Sequence, residues 1–221
     1  MSAEAPGAAL LDVVAVMDRL RSPGGCPWDA EQTHESLTRY LVEETYEVLD
    51  AVEALDGTPA AEAELAEELG DVLLQVVFHA RVAAGRGAFD VDDVARTLAA
   101  KLRRRHPHVF GDEQARTGEA VQARWDELKA QEKPARGPVD GIPRHLPALA
   151  RADKLLQRLE RAGLPVPAAP DGATTEQDRV GEELLAAVVR ARAAGVDPEA
   201  ALRARVRSVE SGVAGGAGPS R

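Results

Sequence analysis

The stretch ELAEELGDVLLQVVFHA, residues 64–80, decides the fold of this chain. Its apolar residues recur three and four positions apart, which is the spacing of one face of an α-helix. Two of its acids, Glu68 and Asp71, nevertheless lie where that apolar stripe continues. The stretch therefore predicts a buried helix whose carboxylates turn toward neighbouring helices.

The rest of the chain repeats this helical pattern. No stretch of comparable length alternates with period two, and aromatic residues are only 3% of the chain, a composition that favours helices over sheets. Thr58-Pro59 and Asp197-Pro198 are typical helix starts. We expect an all-α helical bundle. In the first part of the chain the spacing predicts helices near residues 8–21, 35–56, 59–85, 91–105 and 118–132.

Proline and glycine divide the chain into segments. KPARGPVDGIPRHLP, residues 133–147, contains four prolines and two glycines, which predicts a linker. We therefore assign residues 1–135 to an N-terminal helical domain and residues 136–210 to the linker and a second, smaller helical region. The glycine-rich tail, residues 211–221, is expected to be disordered.

The smaller region looks like a shortened repeat of the first domain. GDVLLQVVFHARVAAG from Gly70 aligns with GEELLAAVVRARAAG from Gly181, and MDRLRSPG, residues 17–24, resembles LQRLERAG, residues 156–163. The second copy has no room for the helix at 35–56.

Charge and cysteine content limit the possible partners. The chain has 37 acids against 27 bases, a net charge of −10, which argues against a nucleic acid polymer as partner. The single cysteine, Cys26, excludes an internal disulfide and a cysteine-based metal site. No signal peptide is recognisable, and no run approaches the roughly 18 apolar residues of a membrane span. We expect a cytoplasmic protein without a membrane partner.

Four acids form two pairs at helical spacing, Glu44-x-x-Glu47 and Glu68-x-x-Asp71. Residues three apart share a helix face, with Cβ atoms about 5–6 Å apart. Two carboxylates at about 5 Å repel by about 3 kcal/mol at an effective dielectric constant of 20, so four that converge need raised pKa values or a cation. Oxygen ligands alone favour a hard ion, Mg²⁺ first and Mn²⁺ next.

The alternative is an ordinary solvated face on which the acids pair with bases one turn away. No lysine or arginine stands four residues beyond any of the four acids, which weakens that alternative.

Three motifs resemble those of the MazG proteins, the all-α nucleoside triphosphate pyrophosphohydrolases. They are CPWDAEQTHESLTRYLVEETYEV, residues 26–48, the stretch at 64–80, and KLRRRHPHVFG, residues 101–111. The resemblance extends from about residue 8 to residue 162. It implies a helical bundle, usually dimeric, that binds Mg²⁺ and splits nucleoside triphosphates into monophosphate and pyrophosphate.

The family's metal-binding pairs map onto Glu44, Glu47, Glu68 and Asp71, the same acids that helical spacing selects. Family members often carry two such domains. In the second copy here, the aspartate position holds Glu182 and the preceding glutamate position holds Arg179. We therefore expect one competent site per chain, in the N-terminal half.

Basic residues at the end of the predicted helix 91–105 are candidate phosphate ligands. Lys101, Arg104 and Arg105 could bind phosphate oxygens, or merely complement the helix dipole. The resemblance favours phosphate binding. Lys129, in WDELK, is a further candidate phosphate ligand.

The loop SPGGCPWDAEQTH, residues 22–34, holds Trp28 and His34. A large aromatic usually finds burial, which favours a core role for Trp28. The resemblance instead places this loop near the nucleotide, so that both residues are candidate substrate contacts. His79 lies in an apolar helix, where a core histidine with satisfied hydrogen bonds is expected.

The sequence thus favours metal-assisted hydrolysis of a phosphoanhydride. A divalent cation would neutralise phosphate charge and activate a water, and Glu47 or Glu44 could accept the water's proton. Two rival interpretations stay open: a non-catalytic helical dimerisation protein, and a nucleotide-binding sensor without hydrolysis.

Overall fold

The computed structural model describes residues 5, 7–111, 117–131, 137, 139–166 and 175–216, without the side chains of residues 126, 129–131 and 214–216. Within these ranges every regular element is a helix, which confirms the all-α prediction. The helices are α1 (Ala8–Arg21), α2 (Pro27–Glu31), α3 (His34–Glu53), α4 (Pro59–Ala84), α5 (Val91–Arg105), α6 (Pro107–Phe110), α7 (Gly118–Gln131), α8 (Ala148–Arg161), α9 (Glu176–Ala193) and α10 (Pro198–Gly216).

Side-chain caps set the starts of the helices that carry the site. The Thr33 hydroxyl accepts a hydrogen bond from the backbone N–H of Ser36 at the start of α3, and the Ser36 hydroxyl accepts one from the backbone N–H of Thr33. Thr58 caps α4, and Pro59 occupies its first turn, as the sequence predicts. Such caps satisfy backbone donors that the helix leaves without a partner.

The chain divides into two units, Met1–Leu128 and Lys129–Arg221. In the first unit, α3 and α4 pack against each other as an antiparallel hairpin, and α1 packs on α4. The core of this unit consists of buried side chains from α1, α3 and α4, namely Met17, Leu37, Val77, Phe78 and Val82. Burying a side chain of this size stabilises the fold by about 1.5–3 kcal/mol.

The second unit is built from α8, α9 and α10, which all contact one another. Leu156, Leu159 and Val188 are buried there. Arg192 on α9 links the helices by ion pairs to Asp153 (2.6 Å) and to Glu160 (2.8 Å), both on α8.

Two expectations from the sequence need correction. The segment 22–34 is not wholly a loop, because Pro27 starts the short helix α2 after a tight turn. Gly24 has a positive φ of 78° in that turn, and a Cβ at Gly25 would overlap the carbonyl oxygen of Leu20. At the other end of the chain, α10 continues to Gly216 instead of giving way to disorder at residue 211. Adding residues to an existing helix costs far less than nucleating one, which permits this extension.

The structure also bears on membrane association. Among the helices of the described ranges, none combines the length and the apolarity needed to cross a bilayer.

Candidate active site

Three of the four predicted acids converge between α3 and α4. Glu44 on α3 and Glu68 and Asp71 on α4 each place one carboxylate oxygen within 4.8 Å of the others. All three side chains are half-buried. The antiparallel hairpin causes this convergence, because it sets the middle of α3 against the first half of α4. We call these three residues the carboxylate trio.

The trio is electrostatically strained. Burial, a hydrogen bond with Glu47 and the negative charges of Asp71, Glu47 and Glu68 together raise the pKa of Glu44 to about 7. Burial, followed by the charges of Glu47 and Asp71, also raises the pKa of Glu68. Both raised pKa values mean that ionisation of these carboxyl groups is unfavourable, as expected where like charges are held close together. A bound cation would relieve that repulsion.

Glu47 stands apart from the trio. Its side chain is exposed, and it reaches the site through a hydrogen bond with Glu44 and through the effect of its charge on Glu68. The structure thus brings together three of the four predicted metal ligands and leaves the fourth at the edge.

The predicted phosphate-binding residues lie at the end of α5, a helix that packs on α4. Lys101 and Arg105 are half-buried and Arg104 is exposed. The Arg105 guanidinium lies 5.1 Å from the centre of the Trp125 ring, which is also contacted edge-on by His106 at 4.9 Å. Trp125 therefore braces the C-terminal end of α5.

Trp28 does not fill the core, so that interpretation of its role is wrong. Its side chain is 50% exposed, and its ring meets Tyr40 edge-on with centroids 6.0 Å apart. Arg21 holds α2 in place by donating to the backbone carbonyls of Asp29 and Gln32. Because Tyr40 lies one helical turn before Glu44, the Trp28–Tyr40 pair neighbours the trio along α3.

His34 is not brought to the trio. It lies ten residues before Glu44 on α3, about 15 Å along the helix axis. Its ring stacks on His79 of α4 with centroids 5.1 Å apart, and the two Nδ1 atoms are 2.8 Å apart. The side chain of Lys129 lies outside the described part of the chain, so its predicted role stays a prediction.

Gln75 is a buried polar residue near the site that the sequence pattern did not single out. This side chain is 4% exposed, and its Oε1 atom has no hydrogen-bond partner within the described residues. His79, expected to be satisfied, has a buried Nε2 atom in the same condition. Asp71, Gln75 and His79 follow one another at intervals of four residues, which places all three on one face of α4. This spacing is the sequence signal that links Gln75 and His79 to the site.

Comparison with known proteins identifies the family. The model of the MazG nucleotide pyrophosphohydrolase domain matches residues 32–110, the range that holds the trio, Glu47 and the basic end of α5. The chain belongs to the MazG family. This confirms the family that the sequence motifs indicate, together with its enzyme class.

Individual relatives extend the MazG likeness beyond that domain. The chain is 53% identical over 206 residues to an uncharacterized 26.1 kDa protein of Streptomyces cacaoi, covering 92% of this chain and 80% of that protein. It is 44% identical over 220 residues to the nucleoside triphosphate pyrophosphohydrolase of Mycolicibacterium smegmatis, covering 96% of this chain and 62% of that one. The enzyme of the same name from Escherichia coli is 43% identical over 191 residues, covering 84% and 68% respectively.

Proposed function

We propose that this MazG protein hydrolyses nucleoside triphosphates to nucleoside monophosphate and pyrophosphate in a Mg²⁺-dependent reaction, with Mn²⁺ as a possible substitute. The cytoplasmic nucleotide pool would supply the substrate. The observation that carries this proposal is the carboxylate trio, whose oxygens lie within 4.8 Å of one another. The names of the M. smegmatis and E. coli relatives support the same substrate class.

The donor set fits a hard divalent cation. Carboxylate oxygens are the ligands that Mg²⁺ and Mn²⁺ prefer, and the raised pKa of Glu44 marks a site where negative charge lacks compensation. Glu44, Glu68 and Asp71 would hold the ion. When bound, such an ion stabilises negative charge on phosphate oxygens and activates a water nucleophile.

Glu47 is our candidate for the general base. Because it lies outside the trio, its carboxylate is not committed to the cation, and its position three residues after Glu44 on α3 keeps it beside the site. It would accept the proton of the attacking water while the bond between the α- and β-phosphates breaks. The water oxygen ends in the monophosphate if the α-phosphorus is attacked and in pyrophosphate if the β-phosphorus is attacked, and the oxygen that bridged the two phosphates stays with the other product.

The basic end of α5 would bind the polyphosphate. Arg104 and Arg105 offer forked donors suited to phosphate oxygens, and Lys101 offers a point charge. Together they would stabilise the pyrophosphate as it departs. Trp28 would contact the base through the exposed part of its ring, and His34 and Lys129 remain candidate substrate contacts.

We also propose that the second unit is a degenerate copy of the first. Gly70 and Gly181 both lie within long helices, α4 and α9, and each of these packs against a preceding helix, α1 or α8. In α9, Arg179 pairs with Glu176, so this position offers no metal ligand. One site per chain follows.

The active form is proposed to be a homodimer. The helices that carry the trio expose apolar side chains, with Val42 and Tyr46 on α3 and Leu69 and Val76 on α4 between 40% and 51% exposed. Exposed apolar groups at helical spacing are typical of surfaces that bury against another subunit. A second copy of this chain presents the same surface and can form a self-complementary interface.

The test is product analysis. The protein is incubated with a mixture of nucleoside triphosphates, with Mg²⁺ or with EDTA, and monophosphate and pyrophosphate are quantified. Asp71→Asn should abolish product formation, because it removes a ligand charge. Glu62→Gln, a change of an exposed acid in the first turn of the same helix α4, should leave it unchanged.

Each outcome separates the interpretations. Metal-dependent pyrophosphate release supports the proposed enzyme. Nucleotide binding without product would support a sensor, and neither binding nor product would support a helical interaction protein.

A further inference from the structure

Two polar atoms are buried without partners on the face of α4 that leads away from the carboxylate trio. They are Oε1 of Gln75 and Nε2 of His79. Asp71, Gln75 and His79 are spaced by four residues, which places successive Cβ atoms about 5–6 Å apart on one helix face. Buried polar groups normally find partners, and because neither atom has a protein partner among the described residues, one water between them would satisfy both.

The contact between the two histidines determines whether Nε2 of His79 is a hydrogen-bond donor or an acceptor. Their Nδ1 atoms lie 2.8 Å apart, and a hydrogen bond at that distance requires one nitrogen with a proton and one without. If His34 donates from Nδ1, the proton of His79 must sit on Nε2. Nε2–H is then a donor one helical turn from the Oε1 acceptor of Gln75, and a water that accepts from Nε2–H and donates to Oε1 satisfies both atoms.

Fixing Oε1 toward His79 also fixes the other half of the amide. The N–H donors of the Gln75 amide would then be available to the preceding turn, where Asp71 lies on the same helix face. A carboxylate that binds a cation through one oxygen can accept a hydrogen bond at the other. Such bonds orient the metal ligands, and their loss weakens metal binding.

We propose that Gln75 is a positioning residue for the Asp71 carboxylate and that the His34–His79 pair sets the orientation of the Gln75 amide. This inference rests on the proposed function, because it gives Asp71 the role of a cation ligand. It also gives His34 a role in supporting the site, through its contact with His79, which is 45 residues away in sequence.

The test measures Mn²⁺ binding by titration calorimetry in the full-length protein, without nucleotide. Gln75→Met keeps the volume of the side chain but removes its hydrogen bonds, and should weaken Mn²⁺ binding at least about tenfold. His79→Phe should weaken it in the same direction. The Gln75→Met/His79→Phe double variant should bind Mn²⁺ as weakly as Gln75→Met alone, because both changes break the same chain of hydrogen bonds.

Val77→Ala is the matched control for loss of packing. Val77 is buried on the same helix but lies off the face shared by Asp71, Gln75 and His79. This variant should lower the melting temperature and leave Mn²⁺ affinity unchanged. If Gln75→Met binds Mn²⁺ as tightly as the wild type does, the inference is overturned and the proposed function stands. If the wild type takes up no Mn²⁺, the proposed function itself is overturned.

A second measurement needs no metal. ¹⁵N NMR of the imidazole rings in the metal-free protein, assigned with His79→Phe, reports which ring nitrogen carries the proton. We expect the proton on Nε2 of His79 and on Nδ1 of His34. A proton on Nδ1 of His79 would overturn the orientation of the Gln75 amide.

Discussion

Glu44 on α3 and Asp71 on α4 are separated by most of a helical hairpin in sequence, yet their carboxylate oxygens lie within 4.8 Å of each other. The short connection between Glu53 and Pro59 sets this register. Two acids at that distance in a half-buried setting are unfavourable unless their charge is compensated. The hairpin therefore concentrates negative charge at one point of the first unit.

Removing Glu68 should abolish catalysis without unfolding the protein. Alanine has the highest helix propensity, so Glu68→Ala should retain the helical circular dichroism spectrum. Loss of a metal ligand should lower pyrophosphate release by at least about 100-fold. Glu62→Ala serves as the control on the same helix, and a fully active Glu68→Ala variant would refute the site.

The metal-free protein should lose stability as pH rises from about 4.5 to 7. The pKa of Glu44 is raised to about 7 from its ordinary value of 4.5, so the folded state binds this proton more tightly than the unfolded state. The stabilisation from that proton is complete below the ordinary value and is lost as the pH rises through 7. Thermal unfolding in EDTA at pH 5.5 and pH 8 measures the difference.

Glu44→Gln should reduce this pH dependence, since the amide does not titrate. The variant should be more stable than the wild type at pH 8 in EDTA. A residual slope is expected, because the pKa of Glu68 is also raised. In the wild type, Mn²⁺ affinity should increase with pH through 7, because protons compete with the metal for the carboxylates. The same slope in Glu44→Gln as in the wild type would contradict this assignment.

Substitution of the basic residues at the end of α5 should impair turnover more than stability. A hydrogen bond to a charged group contributes about 1.5–3 kcal/mol, so Arg104→Ala or Lys101→Ala should lower kcat/KM by about tenfold to a hundredfold. The matched control is Arg96→Ala on the same helix, where Arg96 pairs with Asp93 at 2.9 Å. If these residues only complement the helix dipole, kcat/KM will not change and only stability will decrease slightly.

Trp28 should affect substrate affinity more than folding. Because the ring is half exposed, Trp28→Ala should have little effect on the melting temperature. Base stacking on an aromatic side chain is worth about 1–3 kcal/mol, so KM should rise at least about fivefold while kcat changes little. In a Trp125→Phe background, nucleotide should also quench the remaining tryptophan fluorescence. Unchanged KM and fluorescence would exclude Trp28 as a substrate contact.

Local sequence was sufficient to predict most helices and the position of each acid on its helix. Apolar spacing predicts α1, α3, α4, α5 and α7, and Thr58-Pro59 predicts the start of α4. Such features depend on residues within one or two turns of each other, which a linear pattern records. The pairing of Glu68 with Asp71 on one face follows from the same period.

Local pattern could not predict the burial of Gln75 or the exposure of Trp28. Gln75 is polar but is buried on α4, and Trp28 is aromatic but lies half exposed on the short helix α2. Burial depends on which elements cover a position, and that is a property of packing. The stacking of His34 on His79 joins residues 45 positions apart for the same reason.

The sequence by itself determined that this protein is helical and that two consecutive helices each carry a pair of acids on one face, because helical period is a local property. Only the tertiary structure decided that Glu44, Glu68 and Asp71 form the trio while Glu47 stays at its edge. Convergence to a few ångströms depends on the register of α3 against α4. That register is set by the connection between the helices and by the packing of Leu37 with Val77 and Phe78 in the shared core.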